Sequence, residues 1–491
     1  MTSLPAKIFS VASVREFDRA AIEDHGIPGY TLMTRAGTAA VRAIMQHFPN
    51  ARRWLILCGA GNNGGDGYVV ARLASDQGIA VKVVTLVNPA KLSGDAAIAF
   101  ADFEAQGGVA ARWDGSIDKE SDLIVDAILG SGLERDVGGD FAEAVAAINR
   151  QPAAVVALDI PTGIHGDSGN VLGAAVAADL TMTFVGLKSG LFLGDAPNYC
   201  GALLYDGLQI PESVRAIAPV FRRADSALLG RLLPRRPRTA HKGDFGHVLV
   251  VGGGAGMPGA ARLCGEAALR VGAGRVSLAT DPSHAALLAA NRPELMSHPV
   301  SNGDDLEPLL AKADVIAFGP GLGQSEWARE LFARLSVDER PAVWDADALN
   351  LLALAPNQAG KRIITPHPGE AATLLNDKTL VVQQDRRAAA AALAEKYGGV
   401  AVLKGARTLI RAGADENWLC TAGNPGMAAP GMGDVLTGII AGLLAQQLSL
   451  LDAAVAGVEV HARAGDRAAL NGERGILASE LMAELRGVVN P

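Results

Sequence analysis

Residues 54–68 read Trp54-Leu55-Ile56-Leu57-Cys58-Gly59-Ala60-Gly61-Asn62-Asn63-Gly64-Gly65-Asp66-Gly67-Tyr68. The apolar run predicts a buried strand, and the glycines after it predict a tight turn that leads into a helix. The turn matches the Gly-x-Gly-x-x-Gly pattern of dinucleotide-binding loops only in part, because two asparagines and an aspartate fill it. These amides and this carboxylate offer contacts that a bare phosphate loop does not need, so the turn is a candidate ligand site.

The same order of apolar strand, glycine or aspartate turn and alanine-rich helix recurs along both halves of the chain. In the first half we expect a helix over 68–73 and strands over 81–87, 123–129 and 154–158. In the second half we expect helices over 260–271 and 435–444 and strands over 247–251, 276–279, 314–318, 342–344, 363–365 and 400–403. This alternation predicts an α/β protein whose parallel sheets carry helices on both faces.

The length of the chain predicts more than one domain. Its 491 residues exceed the size at which a single hydrophobic core keeps growing. The stretch 211–242 lacks the strand pattern of its flanks and is rich in arginine, which is typical of a solvated linker. We therefore place a boundary near 218–225 and predict domains over 1–220 and 221–491.

Composition excludes several classes of protein. A net charge of −8 makes nucleic acid an unfavourable partner. The four cysteines lie far apart and form no zinc-binding spacing, which argues against disulfides and structural zinc. Charged residues interrupt the short apolar patch near the N-terminus, so neither a secretory signal nor a membrane span is expected. We expect a cytoplasmic protein with no membrane partner.

Three polar residues in the first half stand where predicted strands end, namely Asp126, Asp159 and Thr162. The carboxyl ends of parallel strands converge on one crevice, so these side chains are candidate oxygen ligands or bases. Each of them alone is also compatible with an ordinary turn or helix cap. Their occurrence at successive strand ends favours a site.

The first half resembles the NAD(P)H-hydrate epimerase family over about residues 10–215, through the glycine cluster, Asp-Ala-Ile-Leu-Gly-Ser-Gly, Asp-Ile-Pro-Thr-Gly and Phe-Val-Gly-Leu-Lys. The resemblance implies a Rossmann-like three-layer sandwich. It implies a potassium ion bound by Asn63, Asp126 and Thr162. It also implies that Asp159 moves protons at C6 of the nicotinamide ring, with Lys188 as a helper. The implied dinucleotide contacts are Asn62, Asn63, Gly64, Gly65, Asp66, Gly130, Ser131, Gly132, Leu133, Glu134, Arg135 and Asp136.

Two positions depart from the pattern of that family. Thr162 stands where serine is usual, which keeps the hydroxyl group. Thr34 stands where glutamate is common, which puts in doubt any role of that acid in subunit contacts or in shaping the site.

A second glycine-rich segment, residues 424–438, marks a site in the other half. It joins several glycines, the carboxylate of Asp434 and an apolar run that predicts a helix. Glycines let the backbone approach an anion, and a helix N-terminus offers free N–H groups to it. This arrangement favours phosphate chemistry with Asp434 as a base, although a helix-capping role for Asp434 is the simpler alternative.

Other loops of the second half supply side chains that residues 424–438 lack, including the cationic side chain of Lys404. Together with His-Pro-Gly-Glu, Asp-Ala-Asp-Ala-Leu and Lys-Gly-Ala-x-Thr, they resemble the ribokinase-like superfamily and, within it, the ADP- or ATP-dependent NAD(P)H-hydrate dehydratases over about residues 225–488. The resemblance implies a nucleotide site at Lys404, Gly405, Ala406, Arg407, Thr408 and Gly433. It implies substrate contacts at Ala261, Gly321, Leu322, Gly323, His367 and Asp434.

Both resemblances together imply a bifunctional repair enzyme that acts on NADHX and NADPHX, the hydrated forms of NADH and NADPH. The first domain would interconvert the R and S epimers. The second would dehydrate the S form, with magnesium-bound ADP as co-substrate, and release AMP and phosphate. A homo-oligomer is expected on the same ground. Two alternatives stay open from the residues: a small-molecule kinase, and a module that senses nucleotides without turnover.

Overall fold

The computed structural model describes residues 4–290, 292–413 and 416–490. The chain divides into two compact units, Met1–Phe221 and Arg222–Pro491. Each unit contains a largely parallel β-sheet, so the α/β prediction is confirmed.

The first unit is built on a parallel sheet with strand order β4-β3-β2-β5-β6-β7-β9, and β1 pairs separately with β8. Its strands are β1 (Lys7–Phe9), β2 (Arg53–Cys58), β3 (Ala80–Thr85), β4 (Ala110–Arg112), β5 (Leu123–Ala127), β6 (Ala154–Leu158), β7 (Leu180–Phe184), β8 (Leu187–Lys188) and β9 (Ala202–Asp206). Its helices are α1 (Val11–Glu23), α2 (Gly29–His47), α3 (Asn62–Asp76), α4 (Gly94–Ala105) and α5 (Asp140–Ile148).

Successive residues of β2 show how this sheet is covered on both faces. Trp54 and Ile56 pack into a core shared with α2 and α3. Leu55 and Leu57 point the opposite way and pack into a second core shared with α5. Both sets are fully buried, as expected for a central parallel strand. The first unit is therefore a three-layer sandwich.

The glycine cluster differs from its prediction as a turn. Helix α3 begins at Asn62 rather than at residue 68, so most of the cluster forms the first turns of the helix. A Cβ at Gly64 would lie 2.2 Å from the carbonyl oxygen of Gly59, and one at Gly67 would lie 2.6 Å from the Cβ of Ala127. These glycines are needed because the helix lies directly on the strand ends.

The second unit contains a sheet with strand order β13-β12-β11-β14-β15-β16-β17-β18-β19, parallel from β13 to β17 and antiparallel from β17 to β19. Its strands are β11 (His247–Val251), β12 (Arg275–Thr280), β13 (Met296–Pro299), β14 (Val315–Phe318), β15 (Ala342–Trp344), β16 (Arg362–Ile364), β17 (Val400–Leu403), β18 (Leu409–Ala412) and β19 (Glu416–Leu419). The short strand β10 (Phe221–Arg222) lies at the division of the chain.

The helices of the second unit cover both faces of its sheet. Val248 and Val250 of β11 pack with α7 and α15, while Leu249 and Val251 are fully buried on the other side. The helices are α6 (Ser226–Leu232), α7 (Pro258–Arg270), α8 (Ala285–Ala290), α9 (Glu307–Leu310), α10 (Glu326–Leu335), α11 (Asp347–Leu354), α12 (Pro368–Leu375), α13 (Thr379–Gln384), α14 (Arg386–Tyr397), α15 (Met432–Ala445), α16 (Leu450–Ala468) and α17 (Leu481–Val488).

Helix α15 is the central helix of the second unit. It begins at Met432, three residues before the predicted start, because Gly431 adopts a positive φ of 87° and serves as the N-cap. Its residues from Val435 to Ala445 are buried, which explains their continuous apolar sequence. Within the described part of the chain, no helix combines the length and apolarity that a membrane span requires.

The contact between α15 and α7 leaves no room for a side chain at Gly438. A Cβ there would lie 2.0 Å from the carbonyl oxygen of Cys264. We therefore expect Gly438→Ala to lower the free energy of unfolding of the second unit by about 1–3 kcal/mol, as overpacking usually does. The measurement is urea unfolding, monitored by hydrogen exchange of the backbone amides in α7 and α15.

Gly230 in α6 is the matched control, because nothing lies within 4 Å of a Cβ built there. Gly230→Ala should raise stability slightly, by about 0.5–1 kcal/mol, since alanine favours a helix interior. Equal effects of the two substitutions would contradict the close packing of α15 on α7.

Candidate active sites

The first unit contains a cavity of about 670 Å³ at the carboxyl ends of its central strands. Of the predicted site residues, those that line it are Asn62, Asn63, Asp66, Gly130, Ser131, Gly132, Leu133, Glu134, Arg135, Asp159 and Lys188. Gly64 and Gly65 are instead buried within α3, and Asp136 is not among the lining residues. The structure thus gathers most of the predicted residues around one space.

Asp126 and Thr162 are not among the residues that line the cavity, but they form a buried pair that binds the amides of Ile128 and Leu129, which do line it. The Thr162 hydroxyl donates to Asp126 Oδ1 at 2.7 Å, and the Thr162 amide donates to Oδ2 at 2.8 Å. The Leu129 amide in turn donates to the Thr162 hydroxyl at 2.9 Å. Burial raises the pKa of Asp126 to about 6 against the effect of these bonds. Oxygen atoms that could bind a cation are therefore concentrated here, and none of the described residues places a cationic side chain beside them.

Asn63 offers a further oxygen atom beside the same loop. Its side chain is 8% exposed, and neither its amide oxygen nor its amide nitrogen has a hydrogen-bond partner among the described residues. A Cβ at Gly130 would lie 3.3 Å from the Cβ of Asn63, so Asn63 lies against the loop that also contacts Thr162. A buried amide without a partner is costly unless a ligand or water satisfies it.

Asp159 and Lys188 form a buried ion pair on another wall of the cavity. The Lys188 ammonium contacts one carboxylate oxygen of Asp159 and donates to Thr183 Oγ1 at 3.0 Å. The other oxygen of Asp159 accepts the Ser131 amide at 3.1 Å. Although burial acts to raise it, Lys188 and these bonds hold the pKa of Asp159 below its usual value. Asp159 is thus an ionised carboxylate with both oxygens engaged.

The sequence reasoning missed Asp18, which lines the same cavity from α1. Burial raises the pKa of Asp18 to about 6, and its carboxylate makes no hydrogen bond to any described residue. In the sequence, Asp18 lies four residues after Val14 and four before Ile22, a spacing that places all three residues on one face of a helix. This spacing could have indicated that Asp18 faces the same side as its apolar neighbours.

The site in the second unit is centred on Asp345, which directly follows β15 and is 1% exposed. Its carboxylate accepts Lys404 Nζ at 2.6 Å and the Thr437 hydroxyl at 2.9 Å. Lys404 also lies 3.7 Å from Glu370. Despite burial, Lys404 holds the pKa of Asp345 below its usual value. The predicted phosphate-binding lysine is thus itself fixed by a buried aspartate.

The backbone of Gly433 lies on this ion pair. A Cβ at Gly433 would be 3.3 Å from both Asp345 Oδ2 and Lys404 Nζ. The first turn of α15 also presents backbone N–H groups that have no partner within the helix. Cation, N–H groups and bare backbone together form a surface suited to a phosphoryl group.

Asp434 lies in the first turn of α15 and is not its cap, because Gly431 holds that position. Its carboxylate has no hydrogen-bond or ion-pair partner in the described ranges. Burial and the neighbouring Asp345 carboxylate raise the pKa of Asp434 to about 7. The group can therefore both accept and donate a proton near neutral pH.

Arg386 shapes the predicted nucleotide loop, residues 404–408. Its guanidinium donates to the carbonyl oxygens of Ala406 at 2.5 Å and Lys404 at 3.3 Å. The Thr408 hydroxyl donates to Gly405 O at 3.1 Å, and the Arg407 guanidinium contacts the carbonyl oxygen of Thr421. Arg386, which reaches the loop from α14, belongs to no motif that would have marked it in the sequence.

His367 has a structural bond that its motif did not reveal. Its Nδ1 accepts the amides of Gly369 at 3.0 Å and Glu370 at 3.3 Å, while Glu370 Oε2 accepts the His367 amide at 2.7 Å. These reciprocal bonds cap α12. The ring is 57% exposed, and its Nε2 lies 3.4 Å from Glu370 Oε1.

The remaining predicted residues lie around the turn after β11 and the turn after β14. Ala261 is fully buried in α7, where a Cβ at Gly253 would approach it to 3.0 Å. In the loop 321–323, Leu322 is buried and the Gly323 amide donates to Asp347 Oδ2 at 2.8 Å. Ala261 thus packs against the turn after β11 and has no exposed surface.

Comparison with known proteins identifies relatives of both halves of the chain. The family model described as NAD(P)H-hydrate dehydratase matches residues 248–486, and the one described as YjeF-related protein N-terminus matches residues 29–190. The bifunctional NAD(P)H-hydrate repair enzyme Nnr of Coxiella burnetii is 48% identical to this chain over 99% of both chains. The protein of the same name in Escherichia coli is 44% identical over 100% of this chain and 95% of its own.

Among solved structures, a ribokinase-like superfamily protein from Enterococcus faecalis is 30% identical, with a TM-score of 0.51. The match covers 55% of this chain and 95% of that one. The identity to the two full-length relatives shows that the chain belongs to the family of bifunctional NAD(P)H-hydrate repair enzymes.

Proposed function

We propose that this chain repairs hydrated NADH and NADPH. The first unit interconverts the R and S epimers, and the second dehydrates the S form while it converts ADP to AMP and phosphate. The relatives that match over the full chain are named as repair enzymes of this kind. The observation that carries the proposal is the Asp434 carboxylate, which has no partner among the described residues and whose pKa is raised to about 7 beside the bare backbone of Gly433.

Dehydration needs a better leaving group than hydroxide. Asp434 takes the proton of the 6-hydroxyl as that oxygen bonds to the terminal phosphorus of ADP, and the bond to AMP breaks. Phosphate then leaves C6 with its bonding electrons, C5 loses a proton, and the C5–C6 double bond returns. The N–H groups of the α15 N-terminus and Lys404 stabilise the phosphoryl charge.

The chain offers little to bind magnesium by itself. Asp345 is bonded to Lys404 and Thr437, and the described residues contain no cluster of three His, Cys, Asp or Glu side chains able to hold a metal. Magnesium would therefore enter on the phosphates of ADP, as is usual for nucleotide enzymes.

The donor set in the first unit fits a potassium ion. Asn63, Asp126 and Thr162 offer hard oxygen atoms, and the buried amide oxygen of Asn63 has no partner within the described ranges. A bound cation would offset the charge of Asp126, for which no described residue supplies a counter-ion. It would thereby fix the loop at 129–130, which lines the substrate cavity.

We expect Asp434→Asn to slow dehydration of the S epimer by about 10²–10⁴-fold, the usual contribution of a general base. The measurement is recovery of the dihydronicotinamide absorbance from purified S epimer with ADP, and with ATP in parallel. R/S exchange should stay at the wild-type rate. Glu326→Gln is the control, since it removes an exposed first-turn carboxylate from α10.

Recovery at the wild-type rate in Asp434→Asn would show that another group is the base. A phosphorylated product that accumulates without absorbance recovery would instead identify a small-molecule kinase. Tight binding of dinucleotides without any turnover would identify a sensing module.

The raised pKa of Asp434 also predicts how stability depends on pH. The folded group binds its proton up to about pH 7, whereas the unfolded group loses it near pH 3.8. Between these values the native state holds more protons, so this group lowers stability as the pH rises. We expect Asp434→Asn to gain unfolding free energy relative to wild type between pH 4 and 7, by at most about 4 kcal/mol.

Urea unfolding of both proteins at pH 4.5 and pH 8 measures this difference. A stability difference that is equal at the two pH values would mean that Asp434 titrates in its normal range.

Potassium should stabilise the first unit by binding the native state. We expect a higher thermal midpoint in potassium chloride than in tetramethylammonium chloride at equal ionic strength, and no such difference in Asn63→Ala. Asn198→Ala, an exposed position in the same unit, should respond like wild type. A potassium response that survives in Asn63→Ala would rule out this cation site.

A further inference from the structure

We propose that Asp18 is the residue that exchanges a proton with the 6-hydroxyl group during epimerisation. The inference rests on the proposed function of the first unit and names a catalytic residue for it. It assigns this role to α1, which precedes residue 29, where the match to the family model begins.

Helix α1 is part of the wall of the substrate cavity. Val14, Asp18 and Ile22 follow one another at four-residue spacing, and all three line the cavity together with Arg15. The other face of α1 is anchored in the core through Phe17 and Ala21, which are fully buried. The carboxylate of Asp18 is therefore presented to the cavity by a fixed helix, between two apolar side chains.

Asp159 is poorly suited to donate the proton. Its two oxygens are engaged by the buried Lys188 ammonium and by the Ser131 amide. It is held ionised, which makes it a site for positive charge rather than a source of protons. Asp18 has no such partner among the described residues.

The charge balance around Asp18 supports this division of roles. One buried ammonium, Lys188, faces the carboxyl groups of Asp18, Asp66 and Asp159. Because Lys188 is paired with Asp159, the other two carboxyl groups have no ion-pair partner in the part of the chain that the structure describes. The other charged groups that line the cavity are Arg15, Asp95, Glu134 and Arg135.

Of the two uncompensated groups, Asp18 has the more suitable proton affinity. Burial raises the pKa of Asp18 to about 6, and burial together with Asp159 and Asp18 raises the pKa of Asp66 well above its usual value. A group that must both give and take a proton works best when its pKa lies near the working pH.

The chemistry balances with Asp18 alone. Protonated Asp18 gives its proton to the 6-hydroxyl, the C6–O bond breaks, and water leaves with the bonding electrons. The lone pair of N1 forms a C6=N1 iminium, whose charge is offset by the Asp18 and Asp159 carboxylates. Water then adds to the opposite face of C6 and its proton returns to Asp18. No oxidant, reductant or nucleotide is consumed.

The test uses full-length Asp18→Asn and measures R/S exchange without nucleotide, by chromatographic separation of the epimers. We expect the enzymatic rate above buffer to fall at least about 100-fold, with KM for the hydrated dinucleotide nearly unchanged. Dehydration of purified S epimer by the second unit should be unaffected. Glu23→Gln, an exposed acid on the same helix, is the control and should keep the wild-type exchange rate.

The pH profile separates proton transfer from a structural role. The wild-type rate of R/S exchange should fall as the pH rises above about 6. Asp18→Glu should retain exchange, but the fall in its rate should occur at a different pH. The inference would be overturned if Asp18→Asn exchanged the epimers within threefold of the wild-type rate, or if this variant changed only KM. It would also be overturned if the fall in rate occurred at the same pH in Asp18→Glu as in wild type. Absence of exchange in wild type would instead remove the proposed epimerase function itself.

Discussion

A buried lysine–aspartate pair at the end of a parallel strand is the interaction on which each site depends. Lys188 holds Asp159 in the first unit, and Lys404 holds Asp345 in the second. Burying two charges is unfavourable unless they are paired and further hydrogen-bonded. Both pairs meet this condition, through Thr183 and the Ser131 amide in one unit and through Thr437 in the other. The same arrangement of paired charges is thus present in both units, although their sheets differ in strand order.

Beside each pair lies a second carboxyl group that has no ion-pair partner among the described residues. Burial and, in addition, the Asp345 carboxylate raise the pKa of Asp434 to about 7. Burial likewise raises the pKa of Asp18 to about 6, with a smaller contribution from Asp159. In both sites an ionised aspartate fixes the geometry, and a second acid is free to exchange protons near neutral pH.

The sequence predicted those features that depend on local pattern. The strands Ala154–Leu158 and His247–Val251 were predicted with the bounds that the structure shows, because continuous apolar runs between turns leave little choice. The strand-end positions of Asp126 and Thr162 likewise follow from counting along the chain. The start of α3 was wrong, because a glycine that permits close helix packing cannot be told from a glycine that permits a turn.

What the sequence could not supply is pairing across distant segments. Asp345 and Lys404 stand 59 positions apart, and neither motif indicates that the lysine would face an aspartate rather than a ligand. Arg386 reaches its loop from a helix with no motif, and Asp18 belongs to a helix whose charges suggested only that it was not a signal peptide. Such contacts depend on tertiary packing, which periodicity does not encode.

Helix α15 contributes both to the packing of the core and to the proposed catalytic site. Gly438 sets how deeply this helix lies on α7, because its Cα approaches the Cys264 carbonyl without an intervening side chain. Gly433, less than two turns earlier, sets how closely the same helix approaches Asp345 and Lys404. A displacement of about 1 Å at a reacting group can cost about 100-fold in rate, so the depth of the helix in the core also sets the position of Asp434. The glycines of α15 therefore affect the proposed reaction in two ways. They allow the backbone to contact a phosphate, and they set the position of the helix in the core.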